Sequence, residues 1–289
     1  MDIKSIIKLI RPNQYIKNLF IFLPLFFALK ITDYHLFLNA FVTFIGFSLT
    51  ASSIYILNDY FDIEDDKKHP KKRLRPLASG VISKKEGIFL MLSFFIIGVL
   101  IVASQNIQAL YILLLYVVIN IAYTLYFKHV AIVDVIIISV GFVLRLYIGA
   151  AVTNTPLSMW IILMTFLLAL FMALAKRRDD ILIYIDTGKK MRKVLDGYNL
   201  QFLDTAMSIM ASVVIVAYII YCSSEEVIQR IGSQYLYITA LFVIVGVLRY
   251  LQIAFVLEDS GSPTKIVLKD RFIQFTILGW ILTFVWILY

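Results

Sequence analysis

Apolar residues fall in long runs along this chain, and short charged seams separate the runs. Nine runs can be marked, over residues 18–32, 36–57, 87–104, 107–127, 130–152, 157–175, 205–222, 235–257 and 272–289. About 20 apolar residues in α-helical form cross a hydrocarbon core, and most of the runs approach that length. The pattern predicts an all-α membrane protein, a nine-transmembrane-helix bundle forming one integral-membrane domain over residues 1–289. The first run is the weakest, because Pro24 interrupts it. The fourth and fifth are parted only by Lys128 and His129, which predicts a tight helical hairpin.

Composition agrees with the pattern. The chain is 61% hydrophobic and 16% charged, and a soluble domain could not hide that much apolar surface. Its 27 Lys and Arg residues then set the orientation. With the N-terminus in the cytoplasm, all but Lys30, Arg145, Arg230 and Arg249 lie on the cytoplasmic side, which predicts an N-in/C-out topology. The net charge of +8 becomes an orientation signal, and nucleic-acid binding is set aside. The first run follows a basic 17-residue segment without a small-residue cleavage site, so it is expected to be a retained span. The single cysteine, Cys222, is expected to be a small apolar packing residue.

The seam after the second run reads NDYFDIEDD (58–66). Asn58, Asp59, Asp62 and Asp66 stand at i, i+1, i+4 and i+8, on roughly one face of a helix. Carboxylates gathered at a membrane surface repel one another unless a positive charge sits among them. Mg²⁺ suits the place, because it takes few carboxylates and completes its shell with substrate phosphate oxygens. The following HPKKRLRPLASG (69–80) is rich in Lys and Arg, which suits a polyphosphate. His69 is a further candidate phosphate contact.

Other polar residues stand out against the apolar background. Arg145 lies deep in the fifth run, where an arginine costs at least about 2.5 kcal/mol unless it is paired or wet. A ligand or carboxylate partner is therefore expected. RPNQYIKN (11–18) places Arg11, Gln14, Lys17 and Asn18 on one polar helical face. The loop expected after the sixth run opens with KRRDD (176–180). There Lys176 can pair with Asp180 along a helix, or Lys176 and Arg177 can point at a phosphate. Asp179, Asp180 and Asp204 could supply a second metal or a sugar contact. No zinc spacing, Ser/His/Asp arrangement or Walker-type glycine loop is present.

The nine-run layout, NDYFDIEDD and the RPLASG element together resemble the UbiA-type intramembrane prenyltransferase superfamily. Within it, RPNQYIKN, YFKHVAIVDVIIISVGFVLRLYIGAAV (126–152), ALAKRRDD (173–180), YNLQFLD (198–204) and SPTKIVLKDRFIQ (262–274) are similar to a particular set of bacterial members. Those members move phosphoribose from phosphoribosyl pyrophosphate to a polyprenyl phosphate. Prenyl-transferring members usually carry a second aspartate-rich motif after the sixth span. Here that place holds KRRDD followed by Lys and Arg, which suits a donor with phosphate at both ends better.

The resemblance implies a Mg²⁺-dependent transferase in a bacterial plasma membrane, with its active site facing the cytoplasm. Asp59 and Asp62, with Asn58 and Asp66, would hold the metal. Arg73, Arg75, Lys176 and Arg177 are candidates for donor phosphate, and Lys17, Asn18 and Arg145 for the acceptor. A homo-oligomer is compatible with the resemblance. Two alternatives stay open at this point: an aromatic or quinone-type prenyltransferase using a prenyl diphosphate, and an anion transporter. A transporter predicts paired half-helices at mid-membrane, and the sequence gathers its polar residues at one face instead.

Overall fold

The computed structural model describes residues 2–68, 72–188, 193–259 and 263–288, and the regular structure among them is helical. In chain order the α-helices are α1 (Ile3–Ile10), α2 (Leu23–Phe27), α3 (Tyr34–Phe61), α4 (Ile63–Lys68), α5 (Lys84–Gln105), α6 (Ile107–Leu125) and α7 (Val133–Thr153). They continue with α8 (Met159–Thr187), α9 (Leu200–Ser223), α10 (Glu225–Ile231), α11 (Ala240–Phe255), α12 (Pro263–Lys269) and α13 (Arg271–Leu288). Among the described residues, eight helical segments are long and apolar enough to cross a membrane.

Two expectations differ from what is observed. Residues 18–32 do not form one continuous helix. A 3₁₀ helix runs over Pro12–Phe22 and passes into the five-residue α2. Pro12 and Pro24 lack the N–H that an α-helix interior needs. Close packing holds this unusually long 3₁₀ stretch in place. A Cβ added at Gly149 of α7 would lie 2.0 Å from the Ile21 carbonyl oxygen, so glycine there lets the two backbones touch. The second difference concerns KRRDD, which is part of a helix and not a loop. Helix α8 carries on through it to Thr187. It stops only at Gly188, whose φ of 64° and N–H bond to the Tyr184 carbonyl make a left-handed C-terminal cap.

The chain divides into two compact units, one of Met1–Lys128 with Val140–Leu157 and one of His129–Ser139 with Ser158–Tyr289. In the first, α3 and α5 pack backbone to backbone. A Cβ at Gly98 would sit 2.6 Å from the Gly46 carbonyl oxygen, the small-residue packing expected where lipid offers no hydrophobic drive. Phe47, Ala51, Val102, Leu113 and Ile148 fill the core around this pair. Asn106 caps α6 through its side-chain oxygen and donates its amide to the Ala151 carbonyl, tying α6 to α7. A second core of Leu9, Ile56, Ile63, Leu77 and Ile82 gathers α1, the end of α3, α4 and the RPLASG segment. That cluster brings Arg11 and Arg75 to the end of α3.

In the second unit Leu167, Phe171, Leu174, Leu203, Met207, Val214, Tyr250 and Ile253 form the core among α8, α9 and α11. Phe89, Leu92, Ile96 and Leu100 on α5, and Phe275, Leu282 and Trp286 on α13, are exposed. Apolar stripes of this kind suit contact with acyl chains.

Candidate active site

The aspartate motif sits where α3 ends. Asp59, in its last turn, is 2% exposed. Its Oδ1 accepts from Arg11 Nη2 at 2.5 Å and from Arg75 Nη1 at 2.9 Å. Arg75 Nη1 also donates to Asp66 Oδ2 at 2.6 Å. Asp62 caps α3 and accepts from Lys128 Nζ at 2.7 Å. Thus Arg11, Arg75 and Lys128 neutralise the three carboxylates. Burial nonetheless pushes the Asp66 carboxyl above the usual range, against the pull of Arg75 and Lys72. Arg11 adopts a left-handed φ of 55°, and its guanidinium lies 5.6 Å from the centre of the Tyr55 ring. Arg73 is exposed.

Arg145 is 5% exposed in the same unit. Its partners among the described residues are neutral, not a carboxylate. Nε donates to Asn18 Oδ1 at 2.8 Å, Nη1 to the Gly141 carbonyl at 2.7 Å, and Nη2 to the Tyr116 hydroxyl at 3.1 Å. The guanidinium also stacks within 5.3 Å of the Phe47, Tyr116 and Phe142 ring centres. Three of its five N–H groups are engaged, leaving one on each terminal nitrogen. Asn18 is oriented in turn by the Ser48 hydroxyl at 2.9 Å. Lys17, just ahead of the first apolar run, has cations for neighbours. Burial first, then Arg145 and Arg11, push its ammonium down to about 8. Within this cluster Arg11, Lys17, Arg75, Lys128 and Arg145 outnumber Asp59, Asp62 and Asp66. Such an excess of partly buried positive charge is a place for an anion.

In the second unit KRRDD serves mainly to hold helices together. Arg177 is 1% exposed, with Nε on Asp134 at 2.5 Å and Nη1 on Asp180 at 2.9 Å. Arg177, expected at a donor phosphate, is here buried and paired with two carboxylates. Asp134 also accepts from the Tyr198 hydroxyl, which accepts from the Ile132 N–H at 2.6 Å. Ile132 is a β-branched residue at φ 69°, a strained position that this network fixes. Arg178 pairs with Asp204 at 2.6 Å and donates to the Ala254 carbonyl. Asp180 and Asp204 thus answer arginines. Lys176 is half-buried. His69 lies outside the described residues.

Among the described residues, no three acidic, His or Cys side chains form a ready-made metal cage. Mg²⁺ does not need one, because one or two carboxylates and substrate phosphates satisfy it. The donors at the end of α3 fit that habit. Asn58 Oδ1 is buried and has no hydrogen-bond partner among the described residues, and it is adjacent in sequence to Asp59. An orphaned oxygen there costs about 1–3 kcal/mol unless something occupies it. Asp62, at 25% exposure, can reorient.

Sequence reasoning singled out the aspartates but not their counter-ions. Arg11 was visible only as part of a polar face, and Lys128 only as a topological signal. Tyr116 is one of three tyrosines along α6, and nothing in its immediate sequence marks it.

The UbiA prenyltransferase family model matches residues 19–286. The decaprenyl-phosphate phosphoribosyltransferase of Mycolicibacterium smegmatis is 31% identical, over 96% of this chain and 91% of its own. That of Corynebacterium glutamicum is 29% identical, over 99% and 87%. Among solved structures, a UbiA homolog from Archaeoglobus fulgidus bound to GPP and Mg²⁺ superposes with a TM-score of 0.73 at 19% identity, over 98% of this chain and 99% of that one. A UbiA homolog from Aeropyrum pernix K1, without ligand, gives 0.68 at 13% identity, over 94% and 97%. At these identities the structural likeness establishes the fold. Family match, near full-length relatives and shared architecture agree: the chain belongs to the UbiA prenyltransferase family.

Proposed function

We propose that this protein transfers 5-phosphoribose from phosphoribosyl pyrophosphate to a polyprenyl phosphate, releasing pyrophosphate. The observation that carries this function is the surplus of partly buried cations beside the aspartate motif, which suits two phosphorylated substrates. The full-length similarity to decaprenyl-phosphate phosphoribosyltransferases supports the choice of donor and acceptor.

In this reaction the bond from ribose C1 to pyrophosphate oxygen breaks and its electron pair leaves with pyrophosphate. A bond from C1 to an acceptor phosphate oxygen forms. The ribose becomes oxocarbenium-like, as in other glycosyl transfers. Asn58, Asp59 and Asp62, with Asp66, are the residues to hold Mg²⁺, which when bound would offset the charge growing on the leaving oxygens. Arg75, with Arg73 at the surface, is the candidate for the donor pyrophosphate. Lys17 and Arg145 would seat the acceptor phosphate, the latter through its two uncommitted N–H groups, with Asn18 fixing its orientation. A polyprenyl phosphate is already anionic at neutral pH, so the chain needs no general base. Its work is positioning and electrostatic stabilisation.

A pH dependence follows. Burial and like charges favour neutral Lys17, whereas a bound anion favours the ammonium. Acceptor KM is expected to stay flat below about pH 8 and to rise above it, as Lys17 loses its proton. The Lys17→Arg variant should lack that rise. A steady-state profile between pH 7 and 9.5 checks this, and the same rise in both proteins would remove Lys17 from the acceptor site.

Residues 1–289 are proposed to act as one integral-membrane catalytic domain, N-in and C-out, with nine crossings and the active site toward the cytoplasm. Eight crossings would return the C-terminus to the cytoplasm. A C-terminal alkaline phosphatase fusion should therefore be active and a green fluorescent protein fusion dark. The opposite pair of results would mean that residues 18–32 do not cross.

Thermal stability tests the donor. With Mg²⁺ present, phosphoribosyl pyrophosphate should raise the midpoint of unfolding and a prenyl diphosphate should not. Stabilisation by the prenyl diphosphate alone would overturn the proposed donor.

A further inference from the structure

Asp59, Asp62 and Asp66 of the aspartate motif are each already matched by a cation of the same unit. Asp59 takes Arg11 and Arg75, Asp66 takes Arg75, and Asp62 takes Lys128. Asp59 and Asp66 are nearly inaccessible, whereas Arg11 and Arg75 are about a quarter exposed. The arginines are therefore the mobile partners and the carboxylates the fixed ones. Arg75 follows a 3₁₀ turn at Lys72–Leu74, and Arg11 sits at the break between α1 and the 3₁₀ helix. Both are at joints in the chain, where a side chain can turn without moving a helix.

Charge balance dictates what such a site can accept. A divalent cation entering alone must push Arg11 and Arg75 off Asp59. It leaves Arg11 unpaired near Lys17 and Arg145, where like charges repel, and Arg75 with Asp66 alone. A diphosphate entering alone draws the arginines away and strands Asp59 and Asp66 as buried, unpaired carboxylates. When both enter, the carboxylates turn to the metal and the arginines to the phosphates, and nothing is left unmatched.

We propose that Arg11 and Arg75 are exchangeable counter-ions that make metal and diphosphate binding mutually dependent, so that neither binds well alone. This rests on the proposed assignment of Asn58, Asp59 and Asp62 as metal ligands. Its signature is two effects of opposite sign. Removing one arginine should free Asp59 for a cation while weakening the hold on diphosphate. Loss of a merely structural ion pair would weaken both.

The experiment uses the full-length purified protein in nanodiscs. Mn²⁺ serves as the cation probe, read by the paramagnetic resonance of the free ion, and inorganic pyrophosphate is titrated calorimetrically at fixed Mn²⁺. Arg75→Gln should bind Mn²⁺ alone about tenfold tighter than wild type, and pyrophosphate with Mn²⁺ about tenfold weaker, within the usual span of coupling between sites. Arg11→Gln, at the more separable joint, should shift both in the same directions, and Arg75→Lys should stay near wild type. Unchanged or weaker Mn²⁺ binding in both glutamine variants, with Asp62 still required for it, overturns the exchange and leaves the metal site standing. Mn²⁺ binding that survives Asp62→Asn overturns the metal assignment and the exchange together.

Discussion

Asp62→Asn is expected to abolish turnover while leaving the protein folded and inserted. Asp62 is a quarter exposed, and its one ion pair, with Lys128, is a partly solvated contact worth at most about 1 kcal/mol to the fold. The amide keeps the shape and the capping geometry at the end of α3. It removes a negative charge from a site assigned to a divalent cation. A single preorganised electrostatic contact in a transition state is typically worth on the order of 10²–10³ in kcat, so the loss should be at least about a hundredfold. Asp59→Asn should be as inactive but less stable, since Asp59 is buried and holds both Arg11 and Arg75. Assay at saturating magnesium, with thermal unfolding measured in parallel, separates the two effects. Near-wild-type turnover by Asp62→Asn would remove it from the metal site.

Arg145→Leu should raise acceptor KM or lower kcat enough to cost tenfold or more in kcat/KM. A charge-assisted hydrogen bond to phosphate is worth about 1.5–3 kcal/mol. The substitution also strips donors from Asn18, Tyr116 and the Gly141 carbonyl. Some loss of stability is therefore expected for any role. Arg145→Lys restores the charge without the planar fork and should recover part of the acceptor affinity. Full activity in Arg145→Leu, or no difference between the leucine and lysine variants, would make Arg145 a structural residue only.

The spans were legible because a bilayer demands an unbroken apolar length and this chain supplies it. Helix ends were less so. Charge was taken to mark the end of the sixth span at 175, yet α8 continues to Thr187, since Lys, Arg and Asp interrupt hydropathy without breaking a helix. Only the backbone geometry at Gly188 stops it. The stretch 18–32 misled in the other direction, because two prolines and a close approach to Gly149 shape its backbone.

At the site, the aspartates could be read because their spacing falls on one helical face. Their counter-ions could not. Arg11 is 48 residues from Asp59, and Lys128 is 66 from Asp62. Arg145 is recognisable from its cost but its protein partners are not, since the structure surrounds it with carbonyl, amide, hydroxyl and three aromatic rings. Nothing near Arg177 in the sequence signals that Asp134, 43 residues earlier, pairs with it.

The most direct test offers the purified protein, with Mg²⁺ and a polyprenyl phosphate, phosphoribosyl pyrophosphate labelled in the ribose. A parallel reaction offers a labelled prenyl diphosphate with an aromatic acceptor. The proposed function predicts that the ribose label enters the lipid phase with release of one pyrophosphate per transfer, and that the prenyl label does not move. Transfer of the prenyl label alone, with the phosphoribosyl donor untouched, would contradict it.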